Sequence, residues 1–281
     1  MPPCQAHHRS TTMVTLSYDI IGHIIDILAG EGDLIPLKNT ALASSSVLHF
    51  CRRHIFRTIP FDNFYPGRKK PPKQSFITLL VNNPSIVQYI RELNYEVHYD
   101  DSQVLSNLLL TISHLEFLSI KSVLDNPIDW TEMDPSIRLA LLRLMHLPSL
   151  THLKIRRVYN LPLSALAFCT NIEQLDIRYT GFTQFEESDL DLPPSDVGCF
   201  KIPRVLQFSS GSSSQAVGRL LNAKWKDGRP LVDFTQLKSL LVDFNTVHAE
   251  INRNLFKSIE QLEKLSITGI YISWQLWRRQ Y

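Results

Sequence analysis

The sequence has few cysteines and no long run of apolar residues. Its cysteines, Cys4, Cys51, Cys169 and Cys199, form no CxxC pair, and this spacing in 281 residues argues against a disulfide framework. We therefore expect a reducing, intracellular compartment, either cytoplasm or nucleus. No stretch of about 18 apolar residues occurs, so the sequence predicts no membrane-spanning helix and no membrane partner.

The sequence also lacks a dominant charge of either sign. It contains 29 lysines and arginines against 27 aspartates and glutamates, a formal net charge of +2. A dedicated nucleic-acid-binding domain is usually much more basic. The composition therefore argues against nucleic acid as the main partner.

Recognisable catalytic motifs are absent as well. The sequence contains no GxGxxG or GxxxxGK[ST] phosphate-binding loop, no HExxH and no GxSxG. His49, Cys51 and His54 stand close together, but offsets of two and five residues scatter them around a helix, which suits a metal site poorly. We expect no catalytic residue, metal or cofactor, and hold a hydrolase or nucleic-acid enzyme only as a remote alternative.

The N-terminal part of the chain predicts three short helices. Residues 1–14 are polar and rich in Pro, Ser and Thr, and we expect them to be a disordered tail. In "LSYDIIGHIIDILAG" the isoleucines recur at helical spacing, with Ser17 as N-cap and Gly30 as the stop. Asp33 is placed to cap a second helix with Leu37 and Leu42 on its apolar stripe.

The third helix is predicted in "LHFCRRHIFRTI", after a serine triplet that could cap it. Cys51 and Ile55 lie on its apolar stripe, whereas the arginines lie off it and face solvent. These helices predict a compact module over residues 15–60. Residues 61–75, rich in Pro and basic residues, are predicted as a linker, with a nuclear-import patch as the alternative.

A short motif recurs from about residue 90 onward, an apolar residue, two variable ones, then apolar–x–apolar. Three of the five separations between its central leucines lie in the range of leucine-rich repeats, and the longest gap leaves room for an irregular copy around residues 202–208. An ordinary α/β core with Leu-rich strands is the alternative. The central leucines are Leu93, Leu118, Leu153, Leu175, Leu240 and Leu265.

Each copy predicts one β-strand with alternating faces, stacked on its neighbours into a solenoid over residues 76–281. The C-terminal "WQLWRRQY" has no obvious polar cap, so we expect the repeat series to be truncated there. The outward positions predict the substrate-binding surface, because repeat proteins bind ligands on such extended faces. They are Asn94, Glu96, Lys154, Arg156, Asp176, Arg178 and Asp243.

The N-terminal module resembles the F-box-like domain of basidiomycete fungal proteins. Ser17 stands where that pattern has proline, and Leu48 where it has an aromatic residue. The segment "FITLLVNNPSIVQYIRELNY" is also similar to the segment that comes after this domain in such proteins. The matching residues are Leu16, Asp19, Ile20, Ile21, Ile24, Ile25, Leu28, Leu37, Leu42, Ser44, Cys51, Arg52, His54, Ile55 and Phe56.

This resemblance implies an α/β protein, an F-box-like three-helix module followed by an irregular leucine-rich-repeat solenoid of parallel strands with helical connections. It implies a non-catalytic substrate-recognition subunit of a ubiquitin ligase, in which the module binds a Skp-type adaptor and through it a cullin, and the repeats bind an unknown protein substrate. The alternative is an interaction scaffold that no longer engages the ligase. The residues implied to contact the adaptor, if they are not simply core, are Leu16, Ile20, Ile21, Ile24, Leu37 and Leu42.

Overall fold

The computed structural model divides the chain into two compact units, one up to Phe56 and one from Arg57 onward. It contains helices and a large parallel sheet, so the chain is a mixed α/β protein, as predicted. The structure describes residues 17–61, 73–98, 101, 103–122, 127–183, 200–201, 204–208, 218–220, 222–225, 228, 230–234, 236–243 and 262–268.

The first unit is a bundle of three helices with the predicted caps at the first two. Helix α1 spans Tyr18–Gly30, α2 spans Leu34–Ala43 and α3 spans Leu48–Ile55. The Ser17 hydroxyl accepts a hydrogen bond from the backbone N–H of Ile20, and the Asp33 carboxylate accepts one from that of Ile35. Both side chains satisfy helix N–H groups that have no partner within the helix.

The serine triplet does not cap α3, contrary to prediction. Residues Ser45–Val47 form a 3-10 turn that leads directly into the helix. No side-chain hydrogen bond caps the N-terminus of this turn or that of α3. The hydroxyl oxygens of Ser44 and Ser46 lie 2.7 Å apart and hydrogen-bond each other instead. The serines therefore form a tight connection between α2 and α3.

The core of the three-helix unit consists of Ile25, Leu37, Val47 and Cys51. Gly22 lies on the inner side of α1, where an added Cβ would stand 3.3 Å from the Phe50 ring. A glycine at this position lets α1 approach the aromatic ring of α3 closely, although glycine weakens a helix interior.

The second unit contains an eight-stranded sheet in which every strand pairs in parallel with its neighbours. The strands are β1 Thr58–Phe61, β2 Glu92–Val97, β3 Phe117–Ser122, β4 Ile128–Asp129, β5 His152–Arg156, β6 Val158–Tyr159, β7 Gln174–Arg178, β8 Phe200–Lys201, β9 Val205–Phe208, β10 Val232–Asp233, β11 Ser239–Asp243 and β12 Lys264–Thr268. The strand order of the large sheet is β1-β2-β3-β5-β7-β9-β11-β12. Strands β4 and β6, and strands β8 and β10, form separate two-stranded parallel pairs.

Helices connect several of the successive strands, as parallel pairing requires. The helices are α4 Lys73–Asn82, α5 Gln103–Thr111, α6 Pro135–Met145 and α7 Ser164–Ala167, with 3-10 turns at Pro84–Tyr89 and Trp130–Glu132. Helix α5 packs against α4 and α6, and α6 also contacts α7. The buried side chains of these helices and of the strands form the core of this unit.

The six leucines of the repeated motif stand at one level of the main sheet. Leu93 pairs with Leu118, and the same register continues strand by strand to Leu265. Leu206 of β9 fills the long gap at that level, so the irregular copy predicted around residues 202–208 is a strand. Leu265, on the last strand, is the exception to burial in this row, at 43% exposed.

The boundaries of the predicted segments differ from those of the structure. The segment "RTIPF" is strand-like in the sequence and forms β1, but it pairs with β2 and so belongs to the sheet unit, whereas the predicted module of residues 15–60 included it. Strand β1 ends at Phe61 and α4 begins at Lys73, so the strand and the helix each include residues of the linker predicted over residues 61–75. The predicted tail and the core of that linker lie outside the described residues.

Candidate functional site

Helix α1 has two apolar faces, of which only one is covered within its unit. Ile21, Ile25 and Leu28 pack into the core of the three-helix unit. Ile20, Ile24 and Ile27 follow at intervals of four and three residues on the other side, and each is more than two-fifths exposed. We call these three residues the isoleucine stripe. Large apolar side chains grouped on a small surface typically mark an interaction site.

The predicted adaptor residues on α2 have opposite environments. Leu42 is 87% exposed and Ile35, seven residues before it, is also exposed. Leu37 is fully buried in the core, so it supports the helices from within and is not part of the surface predicted to meet the adaptor. Ile21 is likewise packed against the core, half-buried, and Leu16 lies outside the described residues.

An ion-pair cluster ties α1 to α3. The Asp26 carboxylate accepts hydrogen bonds from the Arg53 guanidinium and from Nε2 of His54, the latter at 2.8 Å. The hydrogen bond with His54, followed by that with Arg53, lowers the pKa of the Asp26 carboxyl although partial burial opposes the shift. His54 therefore binds Asp26, whereas Cys51 lies in the core and His49 packs edge-on against Phe50.

The outward side chains of the sheet form rows that run across the strands. Asn94, Lys154 and Asp176 stand in one row, since Asn94 pairs with Ser119, Ser119 with Lys154 and Lys154 with Asp176. Two residues further along the strands, a second row contains Glu96, Lys121, Arg156 and Arg178. The sheet thus brings together six of the seven residues predicted to bind substrate.

The seventh predicted residue, Asp243, lies on a distant strand. Its backbone belongs to β11 and pairs with Thr268 of β12. Nothing further is described of its side chain.

Asp176 is the centre of a cationic cluster on this face. Its carboxylate oxygens lie 2.7 Å from Nε of Arg178, 3.5 Å from a terminal nitrogen of Arg156 and 3.6 Å from Nζ of Lys154. All four side chains are between 17% and 34% exposed. Charges at this depth are screened by solvent less than fully exposed ones.

Glu96 is not a surface residue, contrary to prediction. It is 2% exposed, and one of its carboxylate oxygens lies 3.3 Å from Nζ of Lys121 on the adjacent strand. The alternation of the strand placed Glu96 on the outward face, but neighbouring side chains cover it. Lys121 therefore forms an ion pair with this buried carboxylate, and Nε2 of His98 lies 3.7 Å from its other oxygen.

Burial and like charge act together on Lys154. Burial, and then the positive charge of Arg156, lowers the pKa of the Lys154 ammonium, while Asp176 opposes the shift. Arg178 adds a further positive charge in the same direction. Asp176 therefore offsets only part of the combined effect of burial and like charge on the pKa of Lys154.

Arginine and tyrosine side chains extend this face beyond the strand ends. Arg157 and Tyr179, one residue after β5 and β7, both adopt left-handed backbone conformations, with φ of 56° and 53°. The Arg157 guanidinium lies 5.5 Å from the centre of the Tyr179 ring. Tyr159 and Tyr179 are about two-fifths exposed. Tyrosine and arginine are the residue types that most often dominate protein interfaces.

The sequence analysis did not predict Lys121 as an outward residue, nor did it predict a buried polar cluster around Asp101. Lys121 is the next outward position after Ser119 on β3, so extending the alternation by one step would have found it. The Asp101 carboxylate accepts hydrogen bonds from Nζ of Lys73, the Tyr95 hydroxyl and the backbone N–H of His98. Burial, and then the Asp101 charge, raises the pKa of Tyr95, so its hydroxyl stays a donor.

Neither cysteine in the described part of the chain is suited to nucleophilic chemistry. Cys51 and Cys169 are buried, and burial raises the pKa of both thiols, which disfavours the reactive thiolate. Among the residues that the structure describes, no three His, Cys, Asp or Glu side chains converge to hold a metal ion. In the same part of the chain, no helix is long and apolar enough to cross a membrane.

Comparison with protein-family models, with curated proteins and with solved structures found no significant match. The isoleucine stripe of the first unit and the cationic face of the second are therefore interpreted from their own chemistry.

Proposed function

We propose that the chain is a non-catalytic substrate-recognition subunit of a Skp–cullin–F-box-type ubiquitin ligase. The three-helix unit acts as an F-box-like module that binds the Skp adaptor, and the parallel sheet is a leucine-rich-repeat solenoid that binds a protein substrate. The protein itself makes and breaks no bonds. It holds the substrate near the ligase and so raises the local concentration of the reacting groups.

The isoleucine stripe of α1 carries the proposal. The three-helix unit already has a core behind Ile25, so Ile20, Ile24 and Ile27 are not needed to hold its helices together. An apolar stripe at helical spacing suits recognition by a hydrophobic groove of a helical partner. Leu42 of α2 provides a further exposed apolar contact.

The strand register supports the second half of the proposal. A leucine stands at the same level on seven consecutive strands from β2 to β12, and each strand follows its neighbour in chain order apart from the short side pairs. This one-strand-per-repeat arrangement is what a leucine-rich solenoid requires. Its two outward rows on β3, β5 and β7, unlike its leucines, consist of polar or charged residues.

Co-purification with the adaptor tests the proposal. The full chain should capture a Skp adaptor together with a cullin, and Ile20→Asp or Leu42→Asp should abolish this capture. A buried charge in an apolar interface is strongly unfavourable, so the expected loss of affinity is about a hundredfold or more.

The matched control is Leu139→Asp, which places the same charge on an exposed leucine of α6 in the other unit. This variant should capture the adaptor as well as the wild type. If the wild-type chain captures no adaptor under conditions in which a known F-box protein does, the ligase proposal is wrong and the scaffold alternative replaces it.

A further inference from the structure

We infer that the Arg157 guanidinium, just after the end of β5, binds a carboxylate side chain of a protein partner. The inference rests on the proposed function, because it specifies one contact between the sheet unit and the substrate that this unit would recruit. The site is built from the turn that follows β5 and from the equivalent turn that follows β7. We call residues 157–160 and 179–181 the Arg157 corner.

Arg157 lacks an acidic partner in the part of the chain that the structure describes. Its Nη1 is buried and makes no hydrogen bond, and no described carboxylate lies within ion-pair distance of its guanidinium. The neighbouring Arg156 and Arg178 differ, since both contact Asp176. An unpaired buried donor is rare in a folded protein and needs an explanation. A carboxylate oxygen of a partner would supply the missing acceptor.

The Asp129 carboxylate, on β4 beside the corner, is bound to other groups. It accepts a hydrogen bond from Nδ2 of Asn160 at 2.6 Å and one from the backbone N–H of Thr131 at 2.8 Å. Asp129 therefore fastens Asn160 of the corner to β4 and does not pair with Arg157.

The partial burial of Arg157 favours ion pairing with an incoming carboxylate. Forming an ion pair normally requires the desolvation of both charges, which opposes the Coulombic attraction. Because Nη1 is already enclosed, part of the desolvation of this guanidinium has occurred on folding. The residue as a whole is only half-buried, so part of the side chain remains open to a partner. A carboxylate can accept two parallel N–H bonds from a guanidinium.

The backbone and the Tyr179 ring hold Arg157 in one orientation. Its N–H donates to the carbonyl of Arg178 at 2.9 Å, and its own carbonyl accepts from the N–H of Ile128 at 3.1 Å. The guanidinium lies 5.5 Å from the centre of the Tyr179 ring, within the range of a cation–π contact. Arg157 and Tyr179 both have positive φ, a conformation that non-glycine residues adopt mostly at functional sites. A group fixed in this way loses little conformational freedom on binding.

Exposed tyrosines provide apolar surface on the same corner. Tyr179 is 42% exposed and Tyr159 is 41% exposed. A Cβ added to Gly181 would stand 3.1 Å from Cδ1 of Tyr159, so the lack of a side chain at Gly181 lets that ring lie close to the backbone of the next turn. Tyrosine and arginine are the residue types that most often dominate protein interfaces. Apolar groups next to the partner's carboxylate would pack on these rings.

The charge of the site favours a carboxylate over a phosphate. Phosphorylated segments are typically recognised by clusters of arginines. In the Arg157 corner one guanidinium lacks a described acceptor, whereas Arg156 and Arg178 already contact Asp176. One guanidinium matches the single negative charge of a glutamate or aspartate side chain.

Nuclear magnetic resonance of the isotope-labelled full chain tests the inference. The signal followed is that of the Arg157 Nε–H group, which is assigned by its loss in Arg157→Lys. The probe is a blocked leucine–glutamate–leucine tripeptide, and its controls carry glutamine or phosphoserine in place of glutamate. The glutamate peptide should shift the Arg157 signal and bind at least about tenfold more tightly than the glutamine peptide. Its affinity should fall as NaCl is raised.

Substitutions separate the charge of Arg157 from its shape, with binding followed at the backbone amides of the corner. Arg157→Gln should remove the preference for the glutamate peptide. Arg157→Lys keeps the charge but loses the planar fork, so it should weaken binding about threefold to fivefold. Tyr179→Leu removes the ring that positions the guanidinium and should weaken binding about twofold. The matched control is Arg138→Gln on α6, which changes the net charge equally and should leave the preference unchanged.

Three outcomes would overturn the inference. They are equal affinity of the wild-type chain for the glutamate and glutamine peptides, an Arg157→Gln variant with wild-type circular dichroism that keeps the full preference for glutamate, and tighter binding of the phosphoserine peptide than of the glutamate peptide. The peptide comparison on the wild-type chain needs no variant, so it decides the question if a substitution prevents folding. Adaptor capture is measured separately: a chain that captures the adaptor but does not distinguish the peptides refutes this inference and leaves the proposed function standing.

Discussion

The two units use apolar and charged side chains in opposite ways. In the three-helix unit, apolar residues occupy both the core and the surface, and α1 has isoleucines on two sides. In the sheet unit, the repeated leucines are mostly enclosed, and five outward positions on the central strands carry charge, those of Lys121, Lys154, Arg156, Asp176 and Arg178. The first surface is suited to a partner that buries it, whereas the second is suited to a partner that complements its charge.

This difference also separates stability from binding. The isoleucine stripe can be altered without touching the core of its unit, because Ile25 and Leu37 lie behind it. The charged face of the sheet is more integrated, since Glu96 pairs with Lys121 and Asp176 pairs with Arg178, both at outward positions of the strands. Substitutions on the sheet face are therefore expected to change folding and binding together more often than those on α1.

The largest expected effect compares two leucines of α2. Leu37→Ala should lower the free energy of unfolding of the three-helix unit by about 2–5 kcal/mol, because it leaves a cavity in a small core. Leu42→Ala, the same change at an exposed position, should change it by less than about 0.5 kcal/mol. Hydrogen exchange of peptides covering residues 18–56 in the full chain measures both. Equal destabilisation by the two substitutions would contradict the assignment of Leu37 to the core and of Leu42 to the surface of this unit.

A smaller effect is expected from the buried charge of the sheet unit. Asp101→Asn should destabilise that unit by about 2–3 kcal/mol, because it removes a carboxylate that pairs with the Lys73 ammonium where that side chain is only 12% exposed. Tyr95→Phe removes one neutral donor to the same carboxylate and should cost about 1 kcal/mol. Denaturant unfolding of the wild type and the two variants measures which substitution lowers the free energy of unfolding more. If Tyr95→Phe proved the more damaging change, charge would not be what the cluster contributes.

The smallest effect concerns the exposed ion pairs of the three-helix unit. Asp26→Asn should cost about 0.5 kcal/mol at neutral pH, since Asp26, Arg53 and His54 are partly exposed. The pKa of Asp26 is lowered in the folded state, so its contribution is complete above the pKa of the unfolded chain and disappears as pH falls through the folded value. Stability of wild type and variant should therefore converge in acid. A difference that persisted there would exclude the carboxylate as its source.

Local signals in the sequence predicted much of the fold. Ser17 and Asp33 start helices because their side chains satisfy nearby N–H groups, a relation contained within three residues. The strands were found because alternation repeats within each copy of the motif, and even the irregular copy has Leu206 in register. The serine triplet failed as a cap because a hydroxyl can bond a neighbour as readily as the backbone.

The candidate surfaces could be predicted only in part. The pattern placed Lys154, Asp176 and Arg178 on one face, and the structure joins them in one cluster. It also placed Glu96 on that face, and the family resemblance implied that Leu37 contacts an adaptor, but both side chains are buried. Periodicity gives the direction of a side chain but not what lies over it. That depends on residues far away in the chain.

By itself, then, the sequence determined the parallel strands, the first two helix starts and the level of the repeated leucines, because these follow from spacing and local hydrogen bonding. Only the tertiary structure decided which apolar side of α1 remains exposed, that Glu96 is buried against Lys121, and that Asp101 joins Lys73 to Tyr95. Burial and charge compensation are properties of contacts between distant segments. They arise only when the chain has folded around them.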